Sequence, residues 1–244
     1  MKNKKINTKY LPFIGLVLLI AGFSLYGIFN ATVSLGNYTK DLNASVVGAV
    51  DVTSDTTEAP VGNAEKLIFS DVTETHENAN AISHFKNMGY VGGYDDGTFR
   101  PSNLVSRAEF LKILLEVVDA DFAGGVYGKC FTDVQSGWFE VYVCYASKSG
   151  LVGGYDDGNF RPERTVSRVE AIKMTLNALG VKIPASVDVQ PFVDVAVNDW
   201  YAPYAKVSKD LGVVKGRVFL PHLSLTRAST VQLIYDILSA TKKI

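Results

Sequence analysis

The sequence predicts a mainly α-helical fold built from three copies of a helix–turn–helix unit. Three observations carry this expectation. Residues 92–110, GGYDDGTFRPSNLVSRAEF, return as GGYDDGNFRPERTVSRVEA at 153–171, 61 positions later. A shorter phrase, FSDV at 69–72, returns as FTDV at 131–134 and as FVDV at 192–195. Mostly apolar side chains then recur in one helical phase: Leu111, Leu114, Leu115 and Val118; Ile172, Thr175, Leu176 and Leu179; Val231, Ile234, Tyr235 and Leu238. Spacing of i, i+3, i+4, i+7 marks one buried helix face per copy. A unit of about 50 residues with one such stripe buries little alone, so the three should share one core.

The elements follow in order. Lys2, Lys4, Lys5 and Lys9 precede an uncharged run from Leu11 to Phe29. As a helix that run spans roughly 28 Å, near the hydrocarbon thickness of a bilayer. It exceeds a usual signal-peptide core and lacks a clean small-x-small site. The sequence therefore favours an uncleaved anchor over a secretory signal for residues 1–30. The lysines would lie in the cytoplasm and the remainder outside. Residues 31–66 are rich in Ser, Thr, Asn, Ala and Val without period, as in a flexible tether. The repeats are expected at 67–125, 126–186 and 187–244. Their first helices fall near 79–88, 139–149 and 201–211, and their second helices open at Arg107, Arg168 and Arg227.

Between the helices, Asp96-Gly97 and Asp157-Gly158 form tight turns, and Pro101 and Pro162 delay helix entry. The third copy has a shorter turn without Asp-Asp-Gly. Ser106 with Glu109, and Ser167 with Glu170, are capping boxes. Thr226 can cap the third helix, but Ser229 is expected to return the bond poorly. Cys130 and Cys144 are the two cysteines. In an exported chain a disulfide is expected, closing a loop of about 15 residues that contributes roughly 3 kcal/mol in the chain-entropy model.

The arginines raise a physical question. Arg107, Arg168 and Arg227 stand at the first helical position, where the macrodipole disfavours a cation by about 0.3–1 kcal/mol. Either each pairs with a neighbouring acid, Asp71, Asp133 or Asp194, or free helix amides and the guanidinium together hold an anion.

The pattern F-x-D-V, then an aromatic, then G-x-x-x-G-Y-x-D-G-x-F-x-P, then [ST]-R-A-E resembles the S-layer homology domain, in three tandem copies over residues 69–240. The resemblance implies a pseudo-threefold prism around a central helical bundle. It implies grooves between copies that bind anionic, often pyruvylated, secondary cell-wall polysaccharide. Carried over by position, the binding residues would be Arg107, Arg168, Arg227, Asp71, Asp133, Asp194, Trp138, Trp200, Gly93, Gly154 and Gly216. An indole beside a sugar ring offers apolar area and a donor N–H. Glu77 stands where the first copy should have Trp, which argues against a sugar platform there. The groove built from second-copy features is expected to be the most complete.

Composition excludes other classes. Without the four N-terminal lysines, twenty basic residues face twenty-five acidic ones, a net of about −5, so a nucleic-acid partner is not expected. His76, His84 and His222 are scattered, and neither a metal nor a cofactor is suggested. Adjacent carboxylates in a turn do not flank a substrate as a glycosidase pair must, and no catalytic motif is present. The expected function is non-catalytic envelope anchoring through glycan, with the membrane as second partner. The rival is a surface-coat protein that acts by protein packing alone.

Overall fold

The computed structural model describes residues 67–122 and 127–244. The apolar run and the tether expected before residue 67 lie outside the described residues. Among the described residues, no helix is long and apolar enough to cross a membrane.

The fold is mainly α. A short antiparallel hairpin, β1 (Leu67–Phe69) with β2 (Val72–Thr73), precedes six helices. These are α1 (Ala79–Asn87), α2 (Arg107–Val117), α3 (Glu140–Lys148), α4 (Arg168–Ala178), α5 (Ala202–Asp210) and α6 (Arg227–Ala240). The second helices open at the three arginines, as capping predicts. Ser106 Oγ accepts the Glu109 amide at 3.2 Å, and the Glu109 carboxylate accepts the Ser106 amide at 2.7 Å. Glu170 accepts both the amide and the hydroxyl of Ser167, at 2.9 and 2.6 Å. The third box is complete, contrary to expectation. The Thr226 amide donates to Ser229 Oγ at 2.7 Å, because that hydroxyl reaches the same point without a longer side chain.

Helices of one repeat do not chiefly pack on each other. α1 packs on α6, α3 on α2, and α5 on α4. Each first helix thus lies against the second helix of the preceding repeat, with the third followed by the first. Helices α2, α4 and α6 meet through α2–α4 and α4–α6 contacts. The predicted stripes supply this core: Leu111, Leu114, Leu115, Ile172, Leu176 and Ile234 are fully buried.

Backbone bonds join the same three segments. The Val105 amide donates to the Leu225 carbonyl (3.0 Å), Leu225 to Val166 (3.1 Å), and Val166 back to Val105 (2.9 Å). The first two amides of each second helix also leave their own repeat. Arg107 and Ala108 donate to Arg164 and Pro162; Arg168 and Val169 to Leu223 and Pro221; Arg227 and Ala228 to Asn103 and Pro101. The expected free amides at these helix N-termini are therefore occupied, because neighbouring turns supply the acceptors that helix ends otherwise take from water.

Each turn is fixed by its FxDV aspartate. Asp71 accepts the amides of Phe99 and Arg100, both at 2.7 Å. Asp133 accepts those of Phe160 and Arg161 at 2.8 and 2.6 Å. Asp194 accepts those of Phe219 and Leu220, both at 2.7 Å. The clamp holds Arg100, Arg161 and Leu220 at φ of 58°, 60° and 53°, a left-handed conformation that L-residues seldom adopt. It also presents Phe99, Phe160 and Phe219 to the core, each against the FxDV phenylalanine at 5.2–5.4 Å between ring centres. Burial pushes the Asp194 carboxyl up. The Phe219 and Leu220 amides, with Arg168 nearby, overcome this and hold it below its usual value. Cys130 and Cys144 are joined as a disulfide that ties the second FxDV segment to α3.

Replacing Asp133 with Ala orphans two amides and releases a strained residue. The expected loss is about 2 kcal/mol by chemical denaturation. Asp157→Ala, at an exposed turn ion pair, should leave the denaturation midpoint nearly unchanged.

Candidate functional site

Two grooves repeat one set of side chains. The first, about 400 Å³, is lined by Gly92, Gly93, Tyr94, Glu109, Lys112, Trp138 and Arg227. The second, about 480 Å³, is lined by Gly153, Gly154, Tyr155, Glu170, Lys173, Trp200 and Arg107. Position for position the sets agree, and each draws on all three repeats. The turn and the helix face come from one repeat, the tryptophan from the next, and the arginine from the one before.

Glycine makes the floor. A Cβ on Gly93 would stand 2.9 Å from the Phe69 ring and from the Thr98 carbonyl. On Gly154 it would stand 2.5 Å from the Phe131 ring. Gly216 behaves differently. Its φ is +87° and a Cβ would meet nothing, so it serves the shortened third turn and not a groove floor. It lines a separate shallow recess with Phe192, Lys209 and Arg217.

The tyrosines form the walls. Tyr94 lies between Arg100 at 3.8 Å and Arg227 at 5.2 Å. Tyr155 lies between Arg161 at 4.1 Å and Arg107 at 5.1 Å. Both tryptophans are half-exposed, at 51% for Trp138 and 58% for Trp200, which rules out a core role and leaves an accessible indole face. Lys173 Nζ sits 4.9 Å from the Trp200 ring.

The arginines explain their own placement. Each side chain leaves its helix and reaches a carbonyl of the following repeat. Arg107 Nε donates to Phe160 at 2.9 Å, Arg168 Nη1 to Phe219 at 2.5 Å, and Arg227 Nε to Phe99 at 2.9 Å. No ligand is needed to offset the macrodipole, because the guanidinium charge is displaced toward those oxygens. The expected partners Asp71, Asp133 and Asp194 serve the turns. Arg107 pairs instead with Glu170 at 2.8 Å, and is 5% exposed. Burial pushes the Arg107 pKa down, against the pull of Glu170 and Tyr155. Burial pushes the Glu170 carboxyl up. The Ser167 hydroxyl and amide, Arg107 and the Tyr155 hydroxyl overcome it and hold the carboxyl below its usual range.

Glu77 belongs to neither groove. Its neighbour Asn78 donates to Gln232 at 3.2 Å, and Gln232 holds in α6 the position of Lys112 and Lys173. Ser229 stands in the same helix where the grooves have Glu109 and Glu170. The turn from Val214 to Phe219 is also shorter than that from Val91 to Phe99 and carries no tyrosine. The third crossing, with Arg168, thus lacks the tyrosine, carboxylate, lysine and indole. The first groove takes its indole from Trp138 of the second repeat, so an indole stands there although the first copy has Glu77. Lys112, Lys173, Tyr94 and Tyr155 were not anticipated in the groove, although S-R-x-E-x-x-K in both full copies marks the lysines.

The second acid of each Asp-Asp turn is spent internally. Asp96 is held at about 2 by the Thr98 hydroxyl and amide and by Arg100. Asp157 is likewise lowered, by Arg161 and Asn159.

Glu170 also sets a pH dependence. Its folded pKa is depressed, so its contribution is present above the unfolded value of about 4.3 and is lost as pH falls through the folded value. Stability measured from pH 6 to pH 2 should fall more steeply in the native chain than in Glu170→Gln. Parallel curves would remove the carboxylate from this account.

The S-layer homology domain profile matches residues 68–111 and 131–172. The chain is 30% identical over 146 residues to the cellulosome-anchoring protein of Acetivibrio thermocellus, covering 59% of this chain and 32% of that protein. It is 28% identical over 182 residues to S-layer protein EA1 of Bacillus anthracis, covering 72% and 20%. It is 26% identical over 197 residues to exoglucanase XynX of Acetivibrio thermocellus, covering 77% and 18%. The chain thus spans a third or less of the length of these relatives. With the repeated FxDV clamp, the capped arginine helix and the matched grooves, these likenesses establish that the chain carries S-layer homology domains, in two copies matched by the family profile.

Proposed function

We propose that this is a non-catalytic cell-envelope anchoring protein whose two grooves bind an anionic, pyruvylated secondary cell-wall polysaccharide. The observation that carries the reading is the twofold recurrence of one side-chain set, Gly, Tyr, Lys, Trp and Arg, at crossings that each need three repeats. Packing alone does not ask for a half-exposed indole and a lysine to line the same groove twice. A sugar ring can lie on the indole while its acidic substituent meets the cations. The names of the relatives, a cellulosome-anchoring protein and S-layer proteins, support an extracytoplasmic surface role.

Residues 187–244 act in this reading as a third copy, and the closed amide ring supports a pseudo-threefold prism. Its crossing at Arg168 contributes structure and not ligand contacts. The clamp aspartates Asp71, Asp133 and Asp194 act by shaping the turns. The apolar run Leu11–Phe29 would hold the membrane, and residues 31–66 would span to the wall.

Catalysis is disfavoured by the state of the carboxylates. A glycosidase needs a carboxylic acid able to donate a proton. Glu170 is held ionised among Arg107, Arg164, Tyr155 and Ser167, and Glu109 is fixed by its capping bond.

The surface-coat alternative has one favourable observation. Arg107, Arg168 and Arg227 bind backbone carbonyls of neighbouring repeats and so support folding. Trp138→Ala with Trp200→Ala separates the readings, because both rings are exposed and their loss should leave the melting temperature nearly unchanged. Sedimentation with purified wall polysaccharide should then drop by roughly tenfold or more, as loss of stacking contacts worth about 1–2 kcal/mol at two sites implies. Retention equal to the native chain would favour the packing role.

A further inference from the structure

Resting on the glycan reading of the grooves, we propose that they divide by ligand charge. The Arg227 groove takes the carboxylate-bearing sugar, and the Arg107 groove takes a neutral one.

The two arginines are held differently. Arg227 touches only neutral oxygens, the carbonyls of Phe99 at 2.9 Å and Gly92 at 3.2 Å. Among the described residues it forms no ion pair with a carboxylate. Arg107 gives Nη1 to Glu170 at 2.8 Å and is nearly inaccessible. Arg164 also binds Glu170, and Tyr155 donates to it at 2.8 Å. The first repeat has Asn103 where the second has Arg164, so Glu109 gathers no matching cluster.

The linings differ in sum. The first groove has two cations, Arg227 and Lys112, against one carboxylate, Glu109, for a net of +1. The second has two cations, Arg107 and Lys173, against two carboxylates, Asp156 and Glu170, for a net of 0. A carboxylate entering a groove loses hydration and regains it only from a cation not already paired. In the second groove it would also meet Glu170 and Asp156 as like charges. There Lys173 lies over Trp200, while Lys112 has no ring, hydrogen-bond or ion-pair partner among the described residues. Glu170 and Arg227 are therefore the residues that set specificity.

The probes are the methyl glycoside of a 4,6-pyruvylated hexose and its methyl ester, titrated calorimetrically into the chain. The native chain should bind the acid at one site. Arg227→Gln should weaken the acid by roughly 10- to 100-fold, the value of a hydrogen bond to a charged group, and leave the ester unchanged. Glu170→Gln should raise the number of acid sites from one to two by releasing Arg107. If Arg227→Gln does not fold, the site count in Glu170→Gln decides alone. Acid binding that survives Arg227→Gln, two acid sites in the native chain, or one site in Glu170→Gln would overturn the division. Binding of neither compound by the native chain would overturn the glycan reading beneath it.

Discussion

Three amides closing on three carbonyls hold the domain together. Val105, Leu225 and Val166 donate in a circle; each link joins two repeats, and the circle closes only when all three are present. Around that circle the first two amides of α2, α4 and α6 find acceptors in the neighbouring turn. A helix end buried among other chain segments must satisfy these groups or lose stability. Here each repeat completes the helix of another. Cooperativity among the repeats is thus built into the backbone, before any side chain is considered.

The same exchange governs the arginines. A cation at the first turn of a helix looks misplaced when that helix is considered by itself. In the fold the guanidinium is carried across to a carbonyl oxygen of the next repeat, which the aspartate clamp has turned into position. Two unusual local choices, a left-handed non-glycine residue and a cation at a positive helix end, support each other. The guanidinium is thereby part of the fold itself, the link between one helix end and the turn of the next repeat.

The three crossings have unequal contents because each is composed from different repeats. Two retain tyrosine, lysine, carboxylate and indole, and the third has a shortened turn with Ser229 and Gln232. Changes written in one repeat appear at a crossing shared with another. Gln232, in the third repeat, meets Asn78 of the first where α1 crosses α6, and Trp138, in the second, equips the groove of the first. The second groove has every expected motif residue, yet its arginine is the one enclosed by Glu170.

The sequence by itself determined what is local. Helix starts at Arg107, Arg168 and Arg227 follow from Ser and Thr caps, and the stripe at Leu111, Leu114 and Leu115 follows from 3.6-residue periodicity. The cysteine pair is equally a matter of composition and spacing. Tertiary structure alone decided who meets whom. Free helix amides became acceptor-filled, Asp71, Asp133 and Asp194 became turn clamps, and Trp138 joined a groove of another repeat. The physical reason is that a repeat cannot satisfy its own buried helix end or cover its own apolar stripe. Those needs are met from a neighbour, and a one-dimensional pattern does not record which neighbour that is.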